Sequence, residues 1–204
     1  MQFTKEEKSL FKKLNTPGKV QDFLNAIPAN FESDGWASFK SPLLVLRTHS
    51  AHCFEGAVLG AYILSLHGYK PLVLHLKARK PDWDHVVAPF KENGYWGALS
   101  KTNHAVLRYR EPVYKNIREL VMSYFHEYFT DDGRKNLESY TDPLNLNIFS
   151  DNWAESGDPL WGIDEALDEM KHHSIIPKKS LKNKRLADKI EIEAGKLVEW
   201  KKKK

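Results

Sequence analysis

Residues 52–64 have the sequence HCFEGAVLGAYIL, in which Cys53, the single cysteine of the chain, precedes a nearly continuous apolar run. The apolar residues cover most sides of a helix, which predicts a central helix that is buried all round. Gly68 follows the run and is a favourable helix stop. A cysteine at the start of such a helix lies beside unpaired backbone N–H groups and the positive end of the helix dipole. Both favour the thiolate, so the stretch predicts a nucleophilic cysteine.

The segments after this helix predict a short antiparallel sheet. Asn93-Gly94 is a typical two-residue hairpin turn between two apolar segments, and His85 stands where the first of them begins. A cysteine on a helix, then a histidine on a strand, then an adjacent strand is the chain order of cysteine acyl-transfer enzymes. Strands are predicted at 71–76, 86–90 and 95–99, with a fourth at 105–109.

Helices are predicted on both sides of this region. Thr4 and Glu7 have the spacing of a capping box, and Thr16-Pro17 is a typical helix start. Residues 41–46 fit either a helix or a strand. A long helix is predicted to begin at Pro112 and to end at Asp131-Asp132-Gly133. An irregular stretch is predicted from 137 to 157, and a further helix from Asp158-Pro159. This order predicts an α+β fold, in which the Cys53 helix packs on a small antiparallel sheet with flanking helices.

The charge of the chain is concentrated at its end. Residues 178–204 contain eleven Lys and Arg against four Asp and Glu, which gives them a net charge of +7. Because the whole chain has a net charge of +4, residues 1–177 have a net charge of −3. We therefore divide the chain into one domain, residues 1–177, and a basic helical tail, residues 178–204. Such a tail can contact an anionic partner weakly, or it can be a solvated terminal helix. Nothing in it predicts a specific nucleic-acid site.

Several classes of protein are disfavoured by what the sequence contains. One cysteine cannot form an intrachain disulfide, no secretory signal is visible in residues 1–15, and the longest apolar run is too short to span a bilayer, so we expect a cytoplasmic protein. No glycine-rich phosphate loop is present, so no cofactor is expected. His49, His52 and Cys53 have ligand types that suit zinc, but no second compact ligand pair accompanies them, and no metal is predicted.

The run from Cys53 to Leu99 resembles the core of the transglutaminase-like superfamily, which has a papain-like architecture. The resemblance rests on CFEGA at 53–57, HGYKP at 67–71, the strand at 72–76, HVV at 85–87 and YWGAL at 95–99, about a quarter of the chain. It indicates a divergent member of bacterial type. The resemblance implies that Cys53 is the nucleophile, that His85 is its base, and that an aspartate on the third strand orients the histidine.

The sequence departs from the superfamily at this third residue. Leu99 is followed by Ser100, which can accept a hydrogen bond from a ring N–H but carries no charge. Asn103 is a second candidate, because an amide can orient a histidine. Asp84 adjoins His85, but neighbouring residues of a strand point to opposite faces of the sheet.

The predicted chemistry is attack of a Cys53 thiolate, paired with a His85 imidazolium, on a peptide, amide or ester substrate, which gives a thioester. His52 and Trp96 are candidate substrate contacts, since His52 adjoins the thiol and a large aromatic side chain can line a cleft. The alternative is a catalytically weak or inactive module that keeps the fold and binds a peptide or protein. In that case Cys53 is simply a small buried residue at a helix start.

Overall fold

The structure is a computed structural model that describes residues 2–31, 38–150, 152–181 and 184–201. Its α-helices are α1 (Lys5–Lys13), α2 (Pro17–Ala26), α3 (Pro42–Thr48), α4 (Cys53–Ser65), α5 (Ile117–Phe125), α6 (Trp161–Glu169), α7 (Lys178–Leu181) and α8 (Lys189–Gly195). Its strands are β1 (Leu72–Ala78), β2 (His85–Glu92), β3 (Tyr95–Ser100), β4 (Arg110–Tyr114), β5 (Leu137–Thr141), β6 (Leu144–Asn145) and β7 (His172–Ser174).

The strands form one antiparallel sheet in the order β4-β3-β2-β1-β5-β7, and β6 pairs with the start of β1. β1 and β2 are central, with His75 opposite Val86 and Leu76 opposite His85. The hairpin between β2 and β3 turns at Asn93 and Gly94, whose φ angles of 49° and 87° are those of the predicted turn. The α+β class is therefore confirmed.

Apolar side chains pack on both faces of the sheet. On one face, α4 contributes Ala57, Val58 and other buried residues to a cluster that includes Val86 and Leu99. On the other face, α5 packs Leu120 and its neighbours against β1, β2 and β3. The helix that carries Cys53 is thus held between the sheet and the N-terminal helices, as its apolar periphery predicts.

Two glycines let α4 lie directly on the end of β3. A Cβ atom at Gly56 would lie 2.3 Å from Cβ of Lys101, and one at Gly60 would lie 2.7 Å from a methyl group of Leu99. These two glycines are one helical turn apart and therefore share a face. The close approach that the missing side chains allow fixes the position of β3, and hence of Ser100, relative to the start of α4.

Local signals determine several helix starts. The Thr4 hydroxyl and the Glu7 carboxylate form the predicted capping box, and Thr16 caps α2. Ser41 accepts a hydrogen bond from the Leu44 N–H and so begins α3, which resolves the ambiguous segment 41–46 as a helix.

Other predictions of secondary structure are wrong. The fourth strand lies at 110–114 rather than 105–109, and α5 begins at Ile117 rather than at Pro112, because Asn116 caps it by accepting from the Glu119 N–H. The stretch 137–157 was predicted to be irregular, yet it supplies β5 and β6.

The described part of the C-terminal tail contacts the preceding domain. Its α8 is followed by residues whose main chain pairs with the loop after β3, where the Ala105 N–H donates to Leu197 and the Glu199 N–H donates to Asn103. Part of the tail, residues 182–183 and 202–204, lies outside the described residues. Within the described ranges, no helix is both long enough and apolar enough to cross a membrane.

Candidate active site

Cys53 is the first residue of α4, and His52 is the residue that caps this helix. The Nδ1 atom of His52 accepts a hydrogen bond from the Phe54 N–H at 3.3 Å, and the Glu55 carboxylate accepts from the His52 N–H at 2.9 Å. This reciprocal arrangement is a capping box in which histidine takes the place of serine or threonine. It fixes the backbone on both sides of Cys53.

Glu55 connects this helix start to the segment that precedes it. The carboxylate is fully buried, and it accepts hydrogen bonds from the Lys40 N–H at 3.1 Å, from the Asn30 amide at 3.2 Å and from the Ser38 hydroxyl. The Lys40 ammonium lies 3.6 Å away. A buried carboxylate needs such partners, so Glu55 is a positioning residue for the Cys53 helix.

The Cys53 thiol lies among two imidazoles. Burial among protein atoms would by itself raise the pKa of Cys53, but hydrogen bonds from His52 and His85, together with electrostatic attraction between these rings and the thiolate, hold that pKa well below its ordinary value. Cys53 nevertheless retains partial exposure to solvent. A partly exposed thiol that favours its anion is the environment of a reactive cysteine.

The hydrogen bonds of Ser100 identify the basic nitrogen of His85. The Ser100 hydroxyl has a single proton, which it donates to the Leu107 carbonyl at 2.5 Å. At 2.9 Å from Nε2 of His85, the same oxygen must therefore accept from the ring N–H. Nε2 thus carries a proton, which leaves Nδ1 as the ring nitrogen that is available to the thiol. A hydroxyl and a backbone carbonyl together occupy the place of an orienting carboxylate.

Two residues that the sequence did not single out hold Ser100 in place. Gln21 of α2, which is buried, accepts from the Ser100 N–H at 2.9 Å and donates to its carbonyl at 2.8 Å. Leu107 has a φ of 60°, an uncommon left-handed conformation for a residue with a side chain. No local sequence signal links Gln21 or Leu107 to Ser100, since both bonds depend on tertiary packing.

The predicted site residues fall into two groups. Cys53, His52, His85 and Ser100 lie together, with His52 against the thiol. The structure does not bring the other two into this group. The Asn103 amide donates to the Trp200 carbonyl at 2.9 Å and accepts from the Trp200 N–H at 2.8 Å, so it anchors the tail. Trp96 lies four residues before Ser100, about 13 Å along β3, near the hairpin turn.

Lys101, which follows Ser100 in the chain, is a buried cation. Its side chain is 2% exposed, and its ammonium donates to the Ile27 carbonyl at 2.5 Å. Burial lowers its pKa to about 8. Its aliphatic carbons fill the space that Gly56 leaves open, so its main contribution is to the packing of α4 on β3.

The helix start also supplies a donor for a developing negative charge. The Cys53 N–H is at the first helical position, where no intrahelical acceptor exists, and it lies beside the sulfur that would attack a carbonyl group. A cavity of about 550 Å³ lies elsewhere, lined by Trp153, Leu160 and Ile163 among others, and neither Cys53 nor His85 lines it. A substrate would therefore reach the thiol from its exposed side.

A comparison of the chain with protein-family models and with curated proteins gave no match in either set. The functional assignment accordingly rests on the geometry around Cys53.

Proposed function

We propose that the protein is a cysteine acyl-transfer or amide-hydrolysing enzyme, with Cys53 as nucleophile and His85 as its acid and base. The observation that carries the proposal is the His85 ring, which is bonded through Nε2 to Ser100 and lies close enough to the Cys53 thiol to lower its pKa. The order of a cysteine helix, a histidine strand and an adjacent strand further supports a transglutaminase-like core with papain-like architecture.

The reaction follows from the positions of the protons. The Cys53 thiolate attacks the carbonyl carbon of a peptide, amide or ester, and the oxyanion that forms accepts a hydrogen bond from the Cys53 N–H. Collapse of this intermediate breaks the C–N or C–O bond, and His85 gives its Nδ1 proton to the leaving group. Water or an amine then attacks the thioester, loses a proton to Nδ1, and releases the thiolate.

Ser100, the third member of the group, stabilises a charged His85 ring less than a carboxylate would. The Ser100 hydroxyl orients the ring and fixes its tautomer, but it adds no negative charge to stabilise an imidazolium. The Leu107 carbonyl polarises that hydroxyl and compensates in part. We therefore expect modest turnover. The main contribution of Ser100 to catalysis is to fix the tautomer of His85, not to stabilise its charge.

The pH dependence of Cys53 alkylation by iodoacetamide tests the proposal. Because Cys53 is the single thiol of the chain, the alkylated fraction reports this one residue. The lowered pKa predicts that the rate rises to its plateau well below pH of about 8.5, the ordinary midpoint for a thiol. His85→Gln should move the midpoint upwards, while His126→Gln, which changes an exposed histidine, should leave it unchanged.

A second measurement separates an enzyme from a binding module. With 4-nitrophenyl acetate, the enzyme should release one equivalent of nitrophenolate in a burst and acquire one acetyl group on Cys53, seen by mass spectrometry. His85→Gln should slow this acylation by about 1,000-fold. An ordinary thiol midpoint together with no acetylation of Cys53 would leave the binding module as the better interpretation.

A further inference from the structure

A second group of histidines surrounds His75, whose side chain points to the opposite face of the sheet from that of His85. His75 of β1 is 5% exposed, and its Nε2 atom lies 3.2 Å from the Asp84 carboxylate, whose other oxygen accepts from the Ala78 N–H at 2.7 Å. Its Nδ1 atom lies 3.3 Å from Nε2 of His172 on β7 and 3.8 Å from Oδ1 of Asp168 on α6. Side chains from three other segments therefore converge on the His75 ring, one at Nε2 and two at Nδ1.

The outer hydrogen bonds determine where the protons of the two rings lie. A carboxylate only accepts, so the contact with Asp84 places the His75 proton on Nε2. A backbone carbonyl also only accepts. Nδ1 of His172 lies 2.8 Å from the Met170 carbonyl oxygen, so the His172 proton is on Nδ1. In the neutral rings, the two nitrogens that face each other at 3.3 Å both present lone pairs. Two lone pairs at this distance repel unless a proton or a metal ion lies between them.

We propose that His75, His172 and Asp168 bind a divalent transition-metal ion, and that zinc is the ion which fits them best. Two nitrogens that coordinate zinc at 2.0–2.1 Å in a tetrahedral site are about 3.3–3.4 Å apart, which matches the separation of the two ring nitrogens. Oδ1 of Asp168 lies 3.8 Å from Nδ1 of His75, and it would complete the site by turning towards the ion. Its side chain is 58% exposed and can adjust.

The surroundings have the features of a site for a bound metal. Asp84 would act behind His75, because a carboxylate on the distal ring N–H fixes the tautomer and raises the basicity of the coordinating nitrogen. Asp164 lies one helical turn before Asp168, adds negative charge nearby and stands on the same face of α6. The Lys77 ammonium, 4.0 Å from Asp168, is the one competing cation among these contacts, and it is 42% exposed. The exposed side of Asp168 leaves the fourth position open to water.

Zinc titration of the full chain tests the site without involving the proposed nucleophile. We suggest the Cys53→Ser protein, stripped with a chelator and titrated with Zn²⁺ by calorimetry and with Co²⁺ by visible absorption. We expect one ion per chain with a Kd below about 10 µM. His172→Gln or Asp168→Asn in the same background should weaken binding at least about 10-fold.

His173 provides the matched control, because it is the next residue on β7 and pairs instead with the exposed Asp142 at 3.0 Å. His173→Gln should keep the affinity for zinc, and thermal unfolding in chelator should show that all variants are folded. Absence of zinc binding to the Cys53→Ser protein would overturn the proposal, as would equal affinity in the His172 and Asp168 variants. Because this background lacks the thiol, either result leaves the acyl-transfer proposal untouched.

Discussion

His75 and His85 lie on neighbouring central strands, both are buried, and each has one ring nitrogen bonded to an oxygen, yet the two have different surroundings. His85 donates from Nε2 to the neutral Ser100 hydroxyl and faces a thiol with its other nitrogen. His75 is paired through Nε2 with the Asp84 carboxylate and faces a second imidazole. The charge of the partner therefore differs where the ring geometry is alike.

The difference arises from strand register. His75 is opposite Val86, so His75 and Asp84 share one face of the sheet while His85 points to the other. Asp84 is next to His85 in sequence, but its carboxylate contacts His75. A charged partner increases the basicity of a ring, which suits a metal ligand, whereas a hydroxyl leaves the ring able to exchange a proton with a thiol. The comparison predicts that each histidine depends on its own partner alone.

Ser100→Ala should have the largest effect on the His85 side of this comparison. The variant removes the acceptor of the Nε2–H and frees the ring to change tautomer, which should slow acylation of Cys53 by about 10- to 100-fold. The midpoint of iodoacetamide alkylation should also rise, since a neutral ring with its proton on Nδ1 cannot take the proton of the thiol. Stopped-flow acylation and the alkylation profile measure the two effects.

Ser100→Thr is the matched control, because it keeps the hydroxyl. It should restore the alkylation midpoint, while zinc affinity should be the same in all three proteins. An alanine variant with unchanged acylation rate and unchanged midpoint would show that Ser100 only fills space beside His85.

Asp84→Asn should have a smaller effect, and on the other histidine. The amide oxygen can keep the bond from the Ala78 N–H, but its NH₂ group then faces Nε2 of His75 and turns it into an acceptor. The ring proton moves to Nδ1, which can no longer coordinate zinc. Calorimetry should show about a 10-fold loss of zinc affinity, with the alkylation midpoint of Cys53 unchanged. A shifted midpoint would mean that the two groups are coupled.

The sequence predicts much of the His85 group because its parts are close in the chain. The helix start at Cys53, the turn at Asn93-Gly94 and the strands on each side are local signals, and together they align His85 with Ser100. The sequence also gives Asn103 as a second candidate, but its amide is bonded to Trp200, a contact across 97 residues that no local pattern encodes.

The His75 group could not be predicted in the same way. Its members come from β1, the residue before β2, α6 and β7, and the last of these strands lies in a segment without a clear strand pattern. The distance between His75 and His172 in sequence is also 97 residues. Such a group depends on how the sheet edge and α6 pack, which composition and periodicity do not specify. The prediction of no metal rests on the lack of a second compact ligand pair in the sequence, whereas the members of the His75 group are far apart in the chain.

A change in the packing of α4 on β3 should affect the His85 group slightly and the His75 group not at all. Gly56→Ala would place its Cβ 2.3 Å from Cβ of Lys101, an atom close to the backbone that cannot move aside without moving β3. The overpacking should lower the free energy of unfolding by about 1–3 kcal/mol. It should also raise the alkylation midpoint of Cys53 slightly, because a shift of Lys101 would displace Ser100, which directly precedes it. Zinc affinity should stay unchanged, since the His75 group is built from other elements. Gly162→Ala in α6 is the matched control, for its Cβ would meet nothing within 4 Å and should stabilise the helix by about 0.5–1 kcal/mol. Urea unfolding of both variants measures the contrast, and equal stability of the two would contradict the close contact of α4 with β3 on which the Cys53 geometry depends.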